Sequence, residues 1–469
     1  MQIQRSNSMR VAILAALASL PVAAQVGGFG GIGGFGGMAS GTGFGEVRPD
    51  VPSVRPWVTV SGSATRDLDV PGSDRFLYGS SMAGGVSGSR SWARTSVVAS
   101  YAAGGFLTNP YRNSNGANGV SHGGGVQVLH QVSQKMSVAI GGFAGSSNGG
   151  FGVGGGLGGI SFLAPAAISP TTNPSQGQVN SSNINLGFQN FANNGIVDNE
   201  IFNTRVNFTA LNAGVSYTPD GRNMFAFNVG ASRVRRSLEY LSGMDNLGAG
   251  VSYSRMLSPK LSTGAAFGFG QFSYPGYYGG NRIQNLGWNL GYRLNPSTSL
   301  SVFFGGFQYQ VNGIGTVTLP PPLAAILGQS QLQQVIDIRR RGASAGAALS
   351  RSLRVGSASV SYNRGANPGN GLLFATQQET VTLSYSVGTS RASFGTVGFY
   401  SRGKSLSSIS GSIENRSLLG FFSTRLIGGL HFTSTAGQRW VEAGTLRNQR
   451  SFHASAGLAF SPGSFPLWF

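Results

Sequence analysis

The chain lacks cysteine altogether and has few charged residues. None of its 469 residues is cysteine, which excludes a disulfide scaffold, a thiolate metal site and a cysteine nucleophile. Asp, Glu, Lys and Arg make up only 10% of the sequence, against ~25% in an average soluble domain. Acidic residues are the scarcer kind, 14 against 33 basic ones. This composition is unusual for a soluble enzyme.

Long hydrophobic runs are missing beyond the N-terminus. No stretch after residue 24 approaches 18 consecutive apolar residues, so no membrane-spanning helix is predicted. The N-terminus itself has Arg5 and Arg10, then the apolar stretch 11–20, then the small residues Ala23 and Ala24. This is the pattern of a secretory signal peptide, and we predict that residues 1–24 direct export through the Sec pathway.

Glycine, in contrast, is abundant, with 75 of the 469 positions. Residues 25–45 are low-complexity sequence of Gly with interspersed Phe. Because such sequence has little to bury in a core, we predict that the Gly/Phe-rich segment 25–53 is disordered.

Beyond this segment the polarity of the sequence alternates residue by residue. The stretches 211–218, 247–254, 286–293 and 381–387 each alternate apolar residues with mainly Gly, Ser, Asn or Thr. Alternation with a period of two predicts β-strands, because successive side chains leave opposite faces of a strand.

The apolar face of each of these four strands ends in a tyrosine, a few residues before a short turn. These residues are Tyr217, Tyr253, Tyr292 and Tyr385. An aromatic residue at the same depth in successive strands predicts a girdle at a membrane interface.

Short turns alternate along the chain with longer connections, of which 151–200 and 313–334 are the longest. Eight short turns imply sixteen strands, and candidate strands near 54–66 and 447–461 raise the number to eighteen. Spanning a bilayer without helices requires a closed sheet, because open edges would leave unpaired backbone groups in lipid. We therefore predict an all-β fold, a single antiparallel transmembrane β-barrel of 16–18 strands over residues 54–469.

With these features, and with its terminal Phe469, the chain resembles bacterial outer-membrane β-barrels of the porin-like kind. The resemblance implies a place in the outer membrane, short turns in the periplasm, and 151–200 and 313–334 as extracellular loops. It also implies contact with outer-membrane lipid and lipopolysaccharide and recognition by the barrel-assembly machinery, and it leaves open whether several copies associate as a homo-oligomer. Because Pro462 and Pro466 interrupt ladder pairing, we expect the last strand to end near Ser461 and 462–469 to form a tail.

The sequence predicts no catalytic site, no cofactor and no metal. Residues 154–159 match the pattern G-x-G-x-x-G by letter, but no strand-then-helix context surrounds them. The four histidines lack the spacing of metal ligands. The net charge of +19 does not indicate a nucleic-acid partner in an exported barrel. We expect no enzymatic activity.

Six basic residues pair on shared strand faces near the loops. They are Arg233, Arg235, Arg339, Arg341, Arg402 and Lys404. An arginine on the lipid face at mid-bilayer costs ~2–4 kcal/mol, so we predict that these side chains lie in the lumen or at the rim. In the lumen they would concentrate anions. At the rim they would bind lipopolysaccharide phosphates or pair with carboxylates such as Glu239, Asp337 and Glu379.

The favoured function is passive diffusion of small hydrophilic or anionic solutes. In this hypothesis Arg233, Arg235, Arg339 and Arg341 bias the field, and the loop 313–334 sets the bore. The alternative is a plugged structural barrel that acts through extracellular loops at the cell surface.

Overall fold

The computed structural model describes most of the chain beyond residue 52. The described residues are 53–68, 77–108, 119–148, 205–237, 243–275, 279–318, 331–367, 376–389, 391–405, 412–443, 447–462 and 465–466. The predicted signal peptide, the segment up to residue 52, the loop 151–200 and Phe469 lie outside them. No helix within these ranges is long and apolar enough to cross a bilayer.

Nineteen strands make up the described part of the chain. They are β1 Ser53–Asp67, β2 Leu77–Ser91, β3 Thr95–Thr108, β4 Gly119–Ser133, β5 Met136–Asn148, β6 Arg205–Asp220, β7 Asn223–Arg236, β8 Met244–Ser258, β9 Leu261–Ser273, β10 Gly279–Asn295, β11 Thr298–Thr318, β12 Gln331–Leu353, β13 Gly356–Asn367, β14 Thr376–Gly388, β15 Ala392–Ser405, β16 Ser412–Ile427, β17 Leu430–Ala443, β18 Arg447–Phe460 and β19 Phe465–Pro466.

The first eighteen strands close into a barrel. Each pairs antiparallel with the next along the chain, and β18 pairs antiparallel with β1, where Val60 lies opposite Leu458. Closure gives each of the eighteen strands a neighbour on both sides. The predicted all-β fold is confirmed as an eighteen-strand antiparallel barrel, at the upper end of the predicted 16–18.

The two ends of the chain meet in this sheet. β1 and β18 match the predicted first and last strands to within one residue at each end. The predicted tail 462–469 is wrong in part, because Phe465 and Pro466 pair with Val54 and Ser53. The physical reason is that the pairing of β1 with β18 begins only at Val58, which leaves earlier backbone groups of β1 available to the tail.

The barrel has one end with short turns and one end with longer connections. Eight connections of two or three residues join even-numbered strands to the next strand, and we call this side the short-turn end. The opposite side is the loop end. In the turn after β6, Asp220 Oδ1 accepts hydrogen bonds from the N–H groups of Arg222 at 3.0 Å and Asn223 at 2.6 Å. Hydrogen bonds from the side chain and backbone of Asn223 hold the pKa of Asp220 below its usual value.

The predicted loop 313–334 is too long at both ends. β11 continues to Thr318 and β12 begins at Gln331. The two strands pair along their length, from Thr318 opposite Gln331 to Thr298 opposite Arg351. The residues from 314 to 318 include four β-branched side chains, which favour a strand. β11 and β12 therefore form a hairpin longer than its neighbours, and only 319–330 lie between them.

The two faces of the sheet differ in polarity. Large apolar side chains are exposed on one face, for example Leu211 at 61%, Leu286 at 62% and Phe304 at 58%. The opposite face is shielded and carries small polar residues such as Ser61 and Ser121. In a closed barrel the shielded concave face is the inner wall, so the apolar face lies outside.

Hydroxyl groups line much of the inner wall in cross-strand pairs. The side-chain oxygens of Ser61 and Ser81 lie 2.6 Å apart, and those of Ser359 and Ser384 are equally close. Each hydroxyl can donate one hydrogen bond and still accept another. The wall thus stays polar while its side chains stay small.

The large rings of the inner wall lie against glycines of neighbouring strands. A Cβ added to Gly145 would come within 2.7 Å of the Phe208 ring, and one added to Gly342 would overlap the ring of Phe307. Phe307 and Gly342 are directly opposite each other in the ladder between β11 and β12. Because glycine has no side chain, these rings lie along the wall instead of pointing into the lumen.

We expect Gly342→Ala to destabilise the barrel by ~1–3 kcal/mol, because the new methyl group would displace the Phe307 ring. Chemical unfolding of the protein refolded in lipid vesicles measures this change. Gly365→Ala is the control, since a Cβ at Gly365 on the neighbouring strand would meet nothing within 4 Å. Equal stability of the two variants would contradict the role of the ring–glycine contact.

Candidate functional site: the two faces of the loop end

Strand alternation sorts the charged residues of the loop end onto two faces. On β7, Arg233 and Arg235 share a face with the exposed Phe227 and Val229. Arg233 lies opposite Thr209 of β6, which shares its face with the exposed Leu211. Both arginines therefore project outward.

The other four predicted basic residues also project outward. Arg339 and Arg341 share a face of β12 with the exposed Leu349. Arg402 lies opposite Glu379, and Lys404 lies opposite Gln377, on the face of β14 that carries Tyr385. The structure brings all six to the outer rim at the loop end and none of them to the inner wall.

Carboxylates on the outer rim pair with some of these arginines. Asp245 forms ion pairs with two of them: Arg233 Nε lies 2.9 Å from Oδ1, and Arg235 Nη2 lies 2.9 Å from Oδ2. Asp337 lies 3.8 Å from Arg339, and Glu379 lies 3.6 Å from Arg364. These side chains are half-exposed or exposed, and exposed ion pairs contribute at most about 1 kcal/mol each. Glu239, the third predicted partner, lies outside the described residues.

One acidic residue of the described strands is placed on the inner face by the register: Asp67, at the loop end of β1, lies opposite Ser451 of β18. The other six acidic residues of the described ranges lie at a turn or on the outer face. They are Asp220, Asp245, Asp337, Glu379, Glu414 and Glu442.

Arginines, in contrast, do lie on the inner wall. Arg236, Arg340 and Arg439 lie toward the loop end, and Arg55, Arg293 and Arg425 lie near the short-turn end. Arg340 is exposed, and Arg439 donates from Nε to Asn415 Oδ1 at 3.2 Å. We call these six residues the inner arginines.

Sequence reasoning missed two of the inner arginines at the loop end, Arg236 and Arg340, by one residue. Arg340 stands between the outward Arg339 and Arg341, and Arg236 follows the outward Arg235. The signal was present in the sequence, because Arg233 and the apolar Phe227 are an even number of residues apart and so lie on the same face of the strand. Extending that alternation assigns Arg233 to the lipid side of the sheet and Arg236 to the lumen side.

An apolar cluster also lies on the inner wall at the loop end, on β8 to β11. Met244, Phe272 and Tyr274 pack together, Phe307 packs with the fully buried Tyr309, and Ile283 contacts both groups. Asn281 Nδ2 donates a hydrogen bond of 2.7 Å to Tyr274 Oη. This inner cluster thickens one side of the wall next to Arg340, which lies opposite Tyr309.

The four predicted girdle tyrosines lie on the outer face near the short-turn end. Tyr217 and Tyr292 are exposed, and Tyr385 has the same outward direction. The Tyr253 hydroxyl donates to Asn223 Oδ1 at 2.8 Å, and its ring centroid lies 4.9 Å from that of Phe225. The four rings thus occupy similar depths, each a few residues before a turn.

Metal ligands do not cluster among the described residues, where no three His, Asp or Glu side chains come together. His122 and His130 project outward, whereas His431 and His453 lie on the inner wall of β17 and β18.

Together these features define the class of protein. A closed sheet of eighteen strands, with an apolar outer face and a hydroxyl-lined inner face, is a transmembrane β-barrel of porin size.

No family model matches the sequence, and no curated protein matches it either. Several solved structures are similar in shape. OccAB4 of Acinetobacter baumannii is 8% identical over 89% of this chain and all of that chain, with a TM-score of 0.42. OpdQ of Pseudomonas aeruginosa is 10% identical over 89% of this chain and 99% of its own, with a TM-score of 0.40. The FrpB iron transporter of Neisseria meningitidis is 9% identical over 82% of this chain and 61% of its own, with a TM-score of 0.43.

Proposed function

We propose that the protein is a passive diffusion pore of the outer membrane with a preference for anionic solutes. One observation carries this proposal. Six arginines lie on the inner wall, whereas of the seven acidic residues in the described ranges only Asp67 faces inward and the other six lie at a turn or on the outer face. A bore lined mainly with one sign of charge concentrates ions of the opposite sign.

The positions of the inner arginines support a field along the length of the bore. Arg236 and Arg340 lie toward one mouth, and Arg55 and Arg293 lie toward the other. The surrounding wall and lipid have a low dielectric constant, which focuses this field into the water-filled space. An anion entering from either side therefore meets positive charge before it reaches the middle of the barrel.

The dimensions and lining of the barrel support the passage of water and small solutes. Barrels of about sixteen to eighteen strands can enclose an aqueous channel. Hydroxyl pairs offer hydrogen bonds to hydrated solutes. The rings of Phe208 and Phe307 lie over glycines along the wall and so do not extend into the lumen. Asn212, on the inner face of β6, is exposed, as expected for a side chain that meets water. Diffusion of this kind needs no chemical step.

We expect the refolded protein to form stable conductance steps in planar bilayers, with a reversal potential under a salt gradient that indicates anion preference. Heat-modifiable gel mobility provides the control that the inserted protein is folded. Cation preference, or the absence of steps from folded protein, would contradict the proposal.

The inner cluster supports a second candidate, a barrel that is plugged and acts through its loops. Phe272, Phe307 and Tyr309 are buried on a wall that should otherwise face water. If packing of this kind extends across the lumen, folded protein will insert into the bilayer without conducting. The conductance measurement therefore separates the two candidates.

A further inference from the structure

We propose that the outer rim of β9 to β12 binds the phosphorylated head group of a glycolipid in the outer leaflet. The site consists of three arginines and three glutamines that project outward at the loop end. They are Arg282, Arg339, Arg341, Gln284, Gln308 and Gln310, and we call them the rim patch.

The ladder register brings these six side chains into two adjacent rows. In the upper row, the one nearer the loops, Gln310 lies between Arg282 and Arg339, opposite both of them. In the lower row Gln308 lies between Gln284 and Arg341. With strands ~4.8 Å apart and a rise of ~3.4 Å per residue, the three arginines start within about 12 Å of one another. Their long side chains can converge on one phosphorylated group.

The rim patch has more positive charge than its carboxylates neutralise. Asp337 is the one described carboxylate in contact with it, 3.8 Å from Arg339 and 3.1 Å from Gln310 Nε2. Arg341 Nε donates to the neutral Gln308 Oε1 at 3.2 Å. No described carboxylate lies within ion-pair distance of Arg282. Three guanidinium groups with one carboxylate fit a phosphate, which accepts charge-assisted hydrogen bonds from arginine.

A second part of the outer rim has its arginines paired more closely with a carboxylate. There Arg233 and Arg235 both bond to the same carboxylate, Asp245, at 2.9 Å. Asp245 thus engages one donor of each arginine and offsets part of their positive charge. The rim patch lacks such a contact, and its exposed arginines are accessible.

The surface next to the rim patch identifies a lipid rather than a soluble anion. Directly toward the membrane centre on the same strands lie Leu286, Trp288 and Phe304, exposed at 62%, 46% and 58%. Acyl chains can pack on these residues while the phosphorylated sugar of the same molecule contacts the arginines. A free phosphate would contact only the arginines and not the apolar residues beside them.

The test measures binding of lipid A with both phosphates, its dephosphorylated form, and phosphatidylglycerol to folded full-length protein by native mass spectrometry. We expect bisphosphorylated lipid A to bind the wild type, and Arg282→Gln/Arg339→Gln/Arg341→Gln to lower its affinity at least tenfold. The matched control is Arg236→Gln/Arg293→Gln/Arg340→Gln, which removes the same charge from the inner wall and should bind as the wild type does. Heat-modifiable mobility verifies that each variant is folded.

Three results would overturn the proposal. They are equal affinity of the rim variant and the wild type, equal binding of dephosphorylated lipid A, and equal binding of phosphatidylglycerol. The proposal is separable from pore function, because conductance can be recorded in phosphatidylcholine bilayers that contain no glycolipid. Loss of conductance there, with lipid A binding intact, would reject the pore alone.

Discussion

Replacing Arg236 and Arg340 together by glutamate is expected to abolish the anion preference of the pore. Both side chains lie on the inner wall at the loop end. The double change replaces two positive charges at that mouth by two negative ones, and of the six inner arginines only Arg439 remains toward it. We expect the anion-over-cation permeability ratio to fall to about one or below, because the field at the mouth determines which ion accumulates.

The measurement is the reversal potential under a salt gradient, recorded from single channels. Arg339→Glu/Arg341→Glu is the matched control, since it changes the same number of charges at the loop end, on either side of Arg340 in β12, but on the outer face. We expect this control to keep its anion preference. A control that loses its preference as fully as Arg236→Glu/Arg340→Glu would show that lumen charge does not determine selectivity.

Leu211→Arg is expected to destabilise the barrel by ~2–4 kcal/mol, the cost of an arginine on the lipid face near the membrane centre. Leu211 lies near the middle of β6 and is 61% exposed on the outer face. Asn212→Arg, one residue further along, puts the same side chain on the inner wall, where water can solvate it. We expect this second variant to keep nearly wild-type stability.

Reversible unfolding of the two variants in lipid vesicles measures the difference. The comparison tests the assignment of the two faces directly, because the variants differ by one position and add the same charge. If Asn212→Arg were the more destabilised of the two, the inner and outer faces would be exchanged, and the inner arginines would face lipid.

The fold was largely predictable because its signal is local. The alternation in 211–218 and 286–293 requires only that successive side chains of a strand leave opposite faces. Short turns such as the one at Asp220 have their own local chemistry, in which the aspartate accepts backbone N–H groups. Barrel closure followed from the cost of open edges in lipid. These arguments predicted strands near 54–66 and 447–461 and a total of 16–18.

The contacts between strands were harder to predict from the sequence. The pairing of Phe307 with Gly342 depends on the register of β11 against β12, which joins residues far apart in the chain. The hairpin extends to Thr318 because pairing of the two strands continues beyond residue 313. The tail residue Phe465 pairs with Val54 only because closure brings the two ends of the chain together.

By itself the sequence determined that this protein is an antiparallel barrel with one apolar face, because alternating polarity is read along a single strand. Only the tertiary structure decided which charged and polar side chains of different strands become neighbours. The ladder register places Gln310 between Arg282 and Arg339, although these three residues are far apart in the chain. The physical reason is that a residue's face in a strand is local, whereas its distance from lipid, water or a carboxylate depends on neighbouring strands.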